Sequence, residues 1–482
     1  MTSVSLHNTS TKTKDTLTPS SDGIFRVYCC GPTVYAAAHI GNFRTFLLQD
    51  VLRRVLEMSG YHVRWVRNLT DIDDKTIRGA QQQQIPLKEF TQHWIDVFHE
   101  DCQKLQIRTP EVEPRATEHI DDQIRWIEKL IRHGFAYAVA DGSVYYRIAS
   151  FPRYGQLSCL ASHNLLPAQA KNITGDADEY DRDNIHDFAL WKSRKAEDGE
   201  CYWNSPWGQG RPGWHIECSV MAMRYLGETL DLHGGGIDLC FPHHENEIAQ
   251  SEAITQKCFS KHWFHSAHLM VDGQKMSKSL GNLYTLQELQ DQDYSPMAIR
   301  YALIAGHYRQ PLNFTLQSLS TATSALQKLA KVQKQLQVIA TTEAIPPMTH
   351  DNISEKTSAS PLTNAWKALR EDLNIPQCLG IIFTETSPSA LRTLSPTEAY
   401  RLLHDFKGIV LGVLGLTLPE VDTDRRNATI IPEQIQELAE QRLTAKRQKL
   451  FDKADQLREQ IHSMGWRIID HPDGFTLEKD HS

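Results

Sequence analysis

The sequence predicts an α/β fold built on a doubly wound parallel sheet. Three features carry that prediction: a strand–loop–helix–strand run between Ile24 and Leu69, a Gly- and Pro-marked loop after its first strand, and a change after Gln287 to long helical patterns. Taken in order, Ile24-Phe25-Arg26-Val27-Tyr28 reads as a short buried strand broken by Cys29, Cys30, Gly31 and Pro32. Phe43, Leu47, Val51, Leu52 and Val55 then recur at helical spacing, and Gly60 marks the stop. Val63, Trp65 and Leu69 alternate with polar residues as a second strand. The result is a βαβ unit, and open α/β sheets bind ligands beyond the carboxyl ends of their strands, where the loop after Tyr28 lies.

Ile120, Ile124, Ile127 and Ile131 mark another amphipathic helix, ended near Gly134. The stretch from about 120 to 200 reads as an insertion, with Asp141-Gly142 ahead of Val144-Tyr145-Tyr146 as a hairpin signal. Strand and turn signals return between Trp203 and Phe241. The polar stretch from Thr341 to Pro361 reads as a linker, and a helical region follows to about Gly415. The segment from Pro432 to Ser482 begins as a charged helix and ends in alternating Trp466, Ile468 and Phe475, the pattern of a small hairpin.

Composition bounds the function. The 482 residues, 40% hydrophobic and 23% charged, allow two to four domains of an ordinary globular protein. No apolar run is long enough to cross a bilayer. The first two dozen residues hold Thr, Ser and Lys without an apolar core, so they read as a frayed tail rather than a secretory signal. A net charge of -8, from 59 acidic and 51 basic residues, argues against a globally basic nucleic-acid binder but leaves room for a local basic face. Nine scattered cysteines form no disulfide framework and fit a reduced, cytoplasmic protein.

Two short motifs suit phosphate chemistry. His39-Ile40-Gly41-Asn42 opens the first helix, where His39 supplies a donor, Gly41 admits a nucleotide close to the backbone, and the helix N-terminus favours anions. Lys275-Met276-Ser277-Lys278-Ser279, flanked by Gly273 and Gly281, brings two cations and two small donors on a loop. Each string alone also fits a solvated loop; order, separation and the strand–loop–helix context join them.

Between the motifs lie candidate metal ligands. Cys30 ends the first strand, Cys218 closes Gly213-Trp214-His215-Ile216-Glu217-Cys218, and Pro242-His243-His244-Glu245-Asn246-Glu247 follows. His243 and Glu247 are spaced i, i+4 and share a helix face. Thiolates with an imidazole and a carboxylate suit Zn²⁺. The residues alone leave open Cys29 against Cys30, His243 against His244, and Glu245 against Glu247, and buried cysteines are common without a metal. The other six cysteines, Cys102, Cys159, Cys201, Cys240, Cys258 and Cys378, read as structural.

Longer strings carry a family resemblance: Tyr28-Cys29-Cys30-Gly31-Pro32-Thr33-Val34-Tyr35, Arg67-Asn68-Leu69-Thr70-Asp71-Ile72-Asp73-Asp74-Lys75, Gly210 to Cys218, and His233-Gly234-Gly235-Gly236-Ile237-Asp238 continuing to Gln250. From about Ile24 to its end the chain resembles the cysteinyl-tRNA synthetases, a family of class I aminoacyl-tRNA synthetases. The resemblance implies a Rossmann-like doubly wound parallel sheet with a connective insertion, followed by α-helical domains and a small C-terminal anticodon-binding domain. It places a disordered N-terminal extension outside the match at 1–22, the catalytic halves at 23–120 and 201–282, the insertion at 121–200, a stem-contact region at 283–318, a helical domain at 319–415 and the anticodon-binding domain at 416–482.

The resemblance also implies roles. One Zn²⁺ per subunit falls on Cys30, Cys218, His243 and Glu247, and the substrate thiol joins it. Gly31, Thr70, Trp214 and His233 surround the amino acid. Asp238 and Gly41 lie along the nucleotide, Lys278 contacts ATP, and His39, Asn42, Lys275 and Lys278 serve catalysis. Asn42 departs from the family, whose first motif often ends in His. The implied reaction joins L-cysteine, ATP with Mg²⁺ and tRNA(Cys) in a cytoplasmic monomer that needs no membrane. A metal that grips thiolate separates cysteine from serine without an editing site. The basic run Arg442, Lys446, Arg447, Lys449, Lys453, Arg458 and Arg467 fits a phosphate-tracking surface, with Phe451 and Trp466 as stacking candidates. A related ligase that uses an amino sugar lacks the full C-terminal region, and a zinc hydrolase would need His-Glu-x-x-His spacing. A noncatalytic RNA-binding module would not need His39, Lys275 and Lys278.

Overall fold

The computed structural model describes residues 2–159, 187–276, 280–340, 360–421, 433–448, 450–471 and 474–479. Lys278, with Ser277 and Ser279, lies outside the described residues, as do Lys449 and 341–359 of the expected linker. The chain divides into two compact units, Met1–Pro419 and Glu420–Ser482.

The first unit is α/β as predicted. Its central sheet holds β3 (Ile24–Cys29), β4 (His62–Arg67), β5 (Leu232–Gly236) and β6 (Trp263–Ser266), in the spatial order β6-β5-β3-β4 with every neighbouring pair parallel. Helix α1 (Ile40–Met58) connects β3 to β4, and the chain returns much later to place β5 on the other side of β3. That reversal makes a switch point beyond Cys29, where such sheets open a crevice. The pleat sends Phe25, Val27 and Cys29 into one apolar cluster with Phe43, Leu47 and Val51 of α1. Tyr28 and Cys30 face a second cluster with Cys218, Met221 and Ala222 of α2 (Trp214–Leu226). Cover on both faces is what a parallel sheet requires.

The insertion forms a five-stranded antiparallel sheet, in the order Ala136–Ala138, Val144–Tyr146, Phe188–Ser193, Gly208–Pro212, Trp203–Ser205. This corrects the expected end at 200. The strand and turn signals after Trp203 belong to a hairpin that pairs back onto Phe188–Ser193, and alternation alone does not say which sheet a strand joins. Beyond the core, helices Leu316–Ala340, Thr363–Arg370, Ile375–Glu385 and Pro396–Lys407 pack their apolar faces into the α1 cluster.

The N-terminal extension is a second correction. Strands β1 (Ser5–His7) and β2 (Lys14–Thr16) form an antiparallel hairpin, with Val4, Leu6 and Leu17 buried in the main core. Asn8 clamps the hairpin to the sheet edge: its Oδ1 accepts from Trp263 N at 3.0 Å and its Nδ2 donates to Lys261 O at 3.0 Å. Three buried apolar residues and the Asn8 hydrogen bonds hold a stretch whose composition is Ser/Thr-rich.

The C-terminal unit holds helices Glu433–Arg447 and Phe451–Ser463 and an antiparallel hairpin, Trp466–His471 with Gly474–Lys479. Its core joins Ile435, Ala439, Ile461, Trp466 and Ile468. Trp466 is 5% exposed, so the expectation that it stacks on a base is corrected: it is a core residue, while Phe451 stands 61% exposed. Arg442 is buried too and leaves the expected basic surface, whereas Lys453, Arg458 and Arg467 are exposed.

Candidate active site and metal centre

A cleft of about 450 Å³ opens at the switch point. Cys30, Gly31, Trp214 and Asp238 line it together with His39, Gly41, Asn42 and Lys275, so both motif regions border one cavity. Thr70 and His233 stand behind its wall, 2% and 0% exposed.

At the nucleotide-motif end, His39 is the N-cap of α1 in a reciprocal box. Asn42 N donates to His39 Nδ1 at 3.3 Å, and His39 N donates to Asn42 Oδ1 at 3.2 Å. Because Nδ1 accepts, a neutral His39 carries its proton on Nε2. Gly41 makes this fold possible: a Cβ there would come 2.9 Å from His39 Nδ1 and 3.2 Å from Met276 Sδ. Lys275 is exposed at the cleft margin, on the short strand Gln274–Lys275.

At the other end, Gly31 lies so close to its neighbour that an added Cβ would fall 1.7 Å from Asn68 O. Its N–H donates to Asn68 Oδ1 at 2.9 Å. Asn68 Nδ2 in turn donates to Thr70 Oγ1 at 3.2 Å, and the Thr70 hydroxyl donates to Glu217. Burial, reinforced by Cys218, pushes the Glu217 carboxyl well above its ordinary range. Glu217 escaped the sequence reading because only the fold brings it to Thr70, 147 positions away, and Asn68 because its bond to Gly31 is equally non-local.

Behind Trp214 the candidate ligands converge. Single ligand atoms of Cys30, Cys218, His243 and Glu247 all lie within 4.8 Å of one another, all buried. A second group, Cys30, His233, His244 and Glu247, meets the same limit and shares two members. α2 carries Cys218, and α3 (His243–Thr255) brings His243 and Glu247 round by one turn, with His243 Nε2 3.1 Å from Glu247 Oε1. His243 Nδ1 is held 2.9 Å from His215 Nδ1, and Trp214 lies 4.4 Å from the His243 ring. His233 Nε2 pairs with Glu247 Oε2 at 2.8 Å and stacks on Trp263 at 4.6 Å.

The alternatives left by the sequence part in physical terms. Cys29 points into the α1 cluster, away from Cys30. Glu245 accepts from Gly155 N at 2.7 Å and from Ser158 N and Oγ at 2.9 Å, which ties it to the insertion. His244 turns its Nδ1 to His265 Nε2 at 2.7 Å, and its Nε2 lies 3.5 Å from Cys30 Sγ.

The ionisable groups of this cluster shift one another. Burial resists ionisation of Glu247, yet His233 and then His243 hold its carboxyl down at about 2. Burial likewise opposes a Cys218 thiolate, but a hydrogen bond from the Cys30 thiol and the nearby His243 bring it down to about 6. Burial and the neighbouring Cys218 drive Cys30 the other way. Anionic donors gathered out of water are costly unless a positive partner completes them.

The fold has known counterparts. A Mycobacterium tuberculosis methionyl-tRNA synthetase in complex with methionyl-adenylate matches with a TM-score of 0.57 at 14% identity, over 81% of this chain and 92% of that one. A LeuRS–tRNA–LeuAMS ternary complex from Agrobacterium radiobacter K84 matches with a TM-score of 0.59 at 13% identity, over 83% and 85%. The fold is therefore that of the class I aminoacyl-tRNA synthetases. A family model described as the tRNA synthetases class I (C) catalytic domain matches residues 16–324. The cysteine–tRNA ligase of Opitutus terrae is 47% identical over 95% of this chain and 94% of its own length. That of Brachyspira hyodysenteriae is 41% identical over 99% and 100%. The chain belongs to the cysteine–tRNA ligase family. Among the described residues no helix is long and apolar enough to cross a membrane.

Proposed function

We propose that this enzyme activates L-cysteine with ATP and Mg²⁺ to cysteinyl-adenylate, transfers it to tRNA(Cys), and selects cysteine through one zinc ion held by Cys30, Cys218, His243 and Glu247. The observation that carries this reading is the spacing of those donors. A tetrahedral ion with ordinary zinc bond lengths would set sulfur–sulfur, sulfur–oxygen and nitrogen–oxygen edges of about 3.8, 3.5 and 3.3 Å. The corresponding separations are 3.9 Å for Cys30 Sγ to Cys218 Sγ, 3.6 Å for Cys30 Sγ to Glu247 Oε1, and 3.1 Å for His243 Nε2 to Glu247 Oε1. The other group of donors, Cys30, His233, His244 and Glu247, shares Cys30 and Glu247 with this one.

When bound, zinc supplies a soft Lewis acid that favours a substrate thiolate over a serine hydroxyl. An apolar pocket alone separates such near-isosteres by only about 1–3 kcal/mol. Cys30, Cys218, His243 and Glu247 would hold the ion, and His233 Nε2 holds the second oxygen of Glu247 at 2.8 Å.

Trp214 and Gly31 border the path from this pocket to the nucleotide motifs. We assign His39 Nε2–H to the developing charge on the ATP α-phosphate, with the N-terminal amides of α1 beside it. Lys275, and Lys278 as the motif implies, neutralise the departing pyrophosphate. Asp238 borders the adenosine side of the cleft. The exposed Phe451, Lys453, Arg458 and Arg467 suit the anticodon side of the tRNA. A cytoplasmic monomer completes the reading; the nine free thiols suit a reducing compartment.

The test is ATP–pyrophosphate exchange with cysteine and with serine, before and after metal removal, followed by charging of tRNA(Cys). Cysteine-dependent exchange that vanishes with the metal and returns with zinc is expected. Exchange that survives complete demetallation would sink the zinc assignment.

A further inference from the structure

We propose that Thr9, on the N-terminal hairpin, is a positioning residue for the metal centre, acting through His265 and His244. The proposal rests on the zinc assignment above and extends it to a segment that makes no contact with the cleft.

The chain of contacts is short and buried at its inner end. Thr9 Oγ1 lies 2.7 Å from His265 Nδ1, His265 Nε2 lies 2.7 Å from His244 Nδ1, and His244 Nε2 lies 3.5 Å from Cys30 Sγ. His265 is 5% exposed and His244 is fully buried. With zinc bound, Cys30 would be a thiolate that can only accept, so His244 would keep its proton on Nε2 and leave Nδ1 bare. That bare nitrogen takes the Nε2–H of His265, whose own Nδ1 is then bare and takes the Thr9 hydroxyl proton. Neutral imidazoles in a row each have one proton to place, so a thiolate at the inner end sets the direction of the row and leaves a bare nitrogen at its open end. Thr9 meets that nitrogen. Its hydroxyl, able to give a proton, closes the row and holds the inner N–H on Cys30, as outer partners of metal ligands commonly do.

The hairpin is fixed where this needs it. Thr9 N donates to Trp263 O at 3.0 Å, and Trp263 N donates to Asn8 Oδ1 at 3.0 Å, so both backbone directions pin the turn to β6 two residues before His265. Trp263 also stacks on His233, the partner of Glu247. The same edge strand thus steadies two metal-side histidines, and the hairpin steadies the strand.

The test compares full-length wild type, Thr9→Val, Thr9→Ser and Thr11→Val. Val keeps the volume of Thr9 without the hydroxyl, and Ser keeps the hydroxyl. Thr11 bonds Asp15 at 2.8 Å within the hairpin, away from the histidines, and serves as the control for hairpin damage. Zinc-loaded proteins are mixed with a chromogenic chelator, and cobalt-substituted samples are scanned for their thiolate-to-metal bands. Thr9→Val should release zinc roughly 10-fold faster and shift the cobalt bands, while Thr9→Ser and Thr11→Val behave as wild type. Wild-type release and an unchanged cobalt spectrum in Thr9→Val would overturn the relay while leaving the zinc site standing. Equal loss in Thr9→Val and Thr11→Val with equally lowered Tm would overturn it in favour of plain hairpin stability. A wild-type protein that takes up no zinc would remove the zinc site and the relay together.

Discussion

At the proposed thiol end of the cleft, Cys30, Cys218, His243 and Glu247 are at most 6% exposed, and His215, His233 and His244 crowd around them. At the nucleotide end, His39 and Asn42 are half-buried and Lys275 is exposed. The first region sits on a strand end and two helices; the second pairs a helix cap with a loop-borne motif. Telling sulfur from oxygen depends on donors fixed before the substrate arrives. Charge that develops on phosphates can be met by a helix terminus and by cations that approach with the nucleotide. The two ends should therefore fail differently when cut.

The largest effect should come from the buried end. Cys218→Ala leaves anionic donors gathered without a complete set, so zinc content should fall from one per chain to a small fraction. Discrimination between cysteine and serine in pyrophosphate exchange should shrink to the roughly 10- to 200-fold that pocket shape alone supplies. Metal analysis with exchange on both amino acids checks this, and full discrimination in a zinc-free variant breaks the comparison. His39→Ala should lower kcat for exchange about 10²–10³-fold, as loss of one preorganised donor does, with zinc content and KM for cysteine unchanged. Coupled loss of zinc in that variant would show that the two ends are one device.

How far the sequence revealed this contrast depended on whether a contact was local. Strand, loop and helix from Ile24 to Arg67 were legible because their periods are, and the i, i+4 spacing of His243 and Glu247 survived as a shared helix face. Cys29 against Cys30 is a question of pleat, which periodicity leaves open until the two covering layers are known. The partnership of Thr9 with His265 spans most of the catalytic unit and leaves no local trace. Composition misled at both ends of the chain: Ser and Thr hid the Val4, Leu6 and Leu17 pattern, and a basic run hid that Arg442 and Trp466 are interior.

The C-terminal unit offers a smaller, separable effect. Phe451→Ala removes an exposed ring, so exchange should hold while tRNA charging weakens by about 1–3 kcal/mol, the scale of one base–aromatic stack. Trp466→Ala empties a core position and should instead destabilise that unit by roughly 3–5 kcal/mol. Calorimetry beside charging kinetics distinguishes them; an unchanged charging KM in Phe451→Ala removes it from the tRNA surface.

The smallest effect probes Asn42, the last residue of the first motif. Its Oδ1 accepts from His39 N, so Asn42→Ala breaks half of the capping box and should cost about 1 kcal/mol, or roughly 1 °C in Tm. Asn42→Asp keeps that acceptor and adds a negative charge, which the helix N-terminus favours but ATP does not. The Asp variant should therefore hold Tm while raising KM for ATP, and the Ala variant should lower Tm with KM nearly unchanged. If Asn42 touches the nucleotide directly, Ala and Asp will both raise KM. The pair thus separates a residue that shapes His39 from one that meets the phosphates, and it does so at the open end of the cleft, where an altered cap can be read without disturbing the metal.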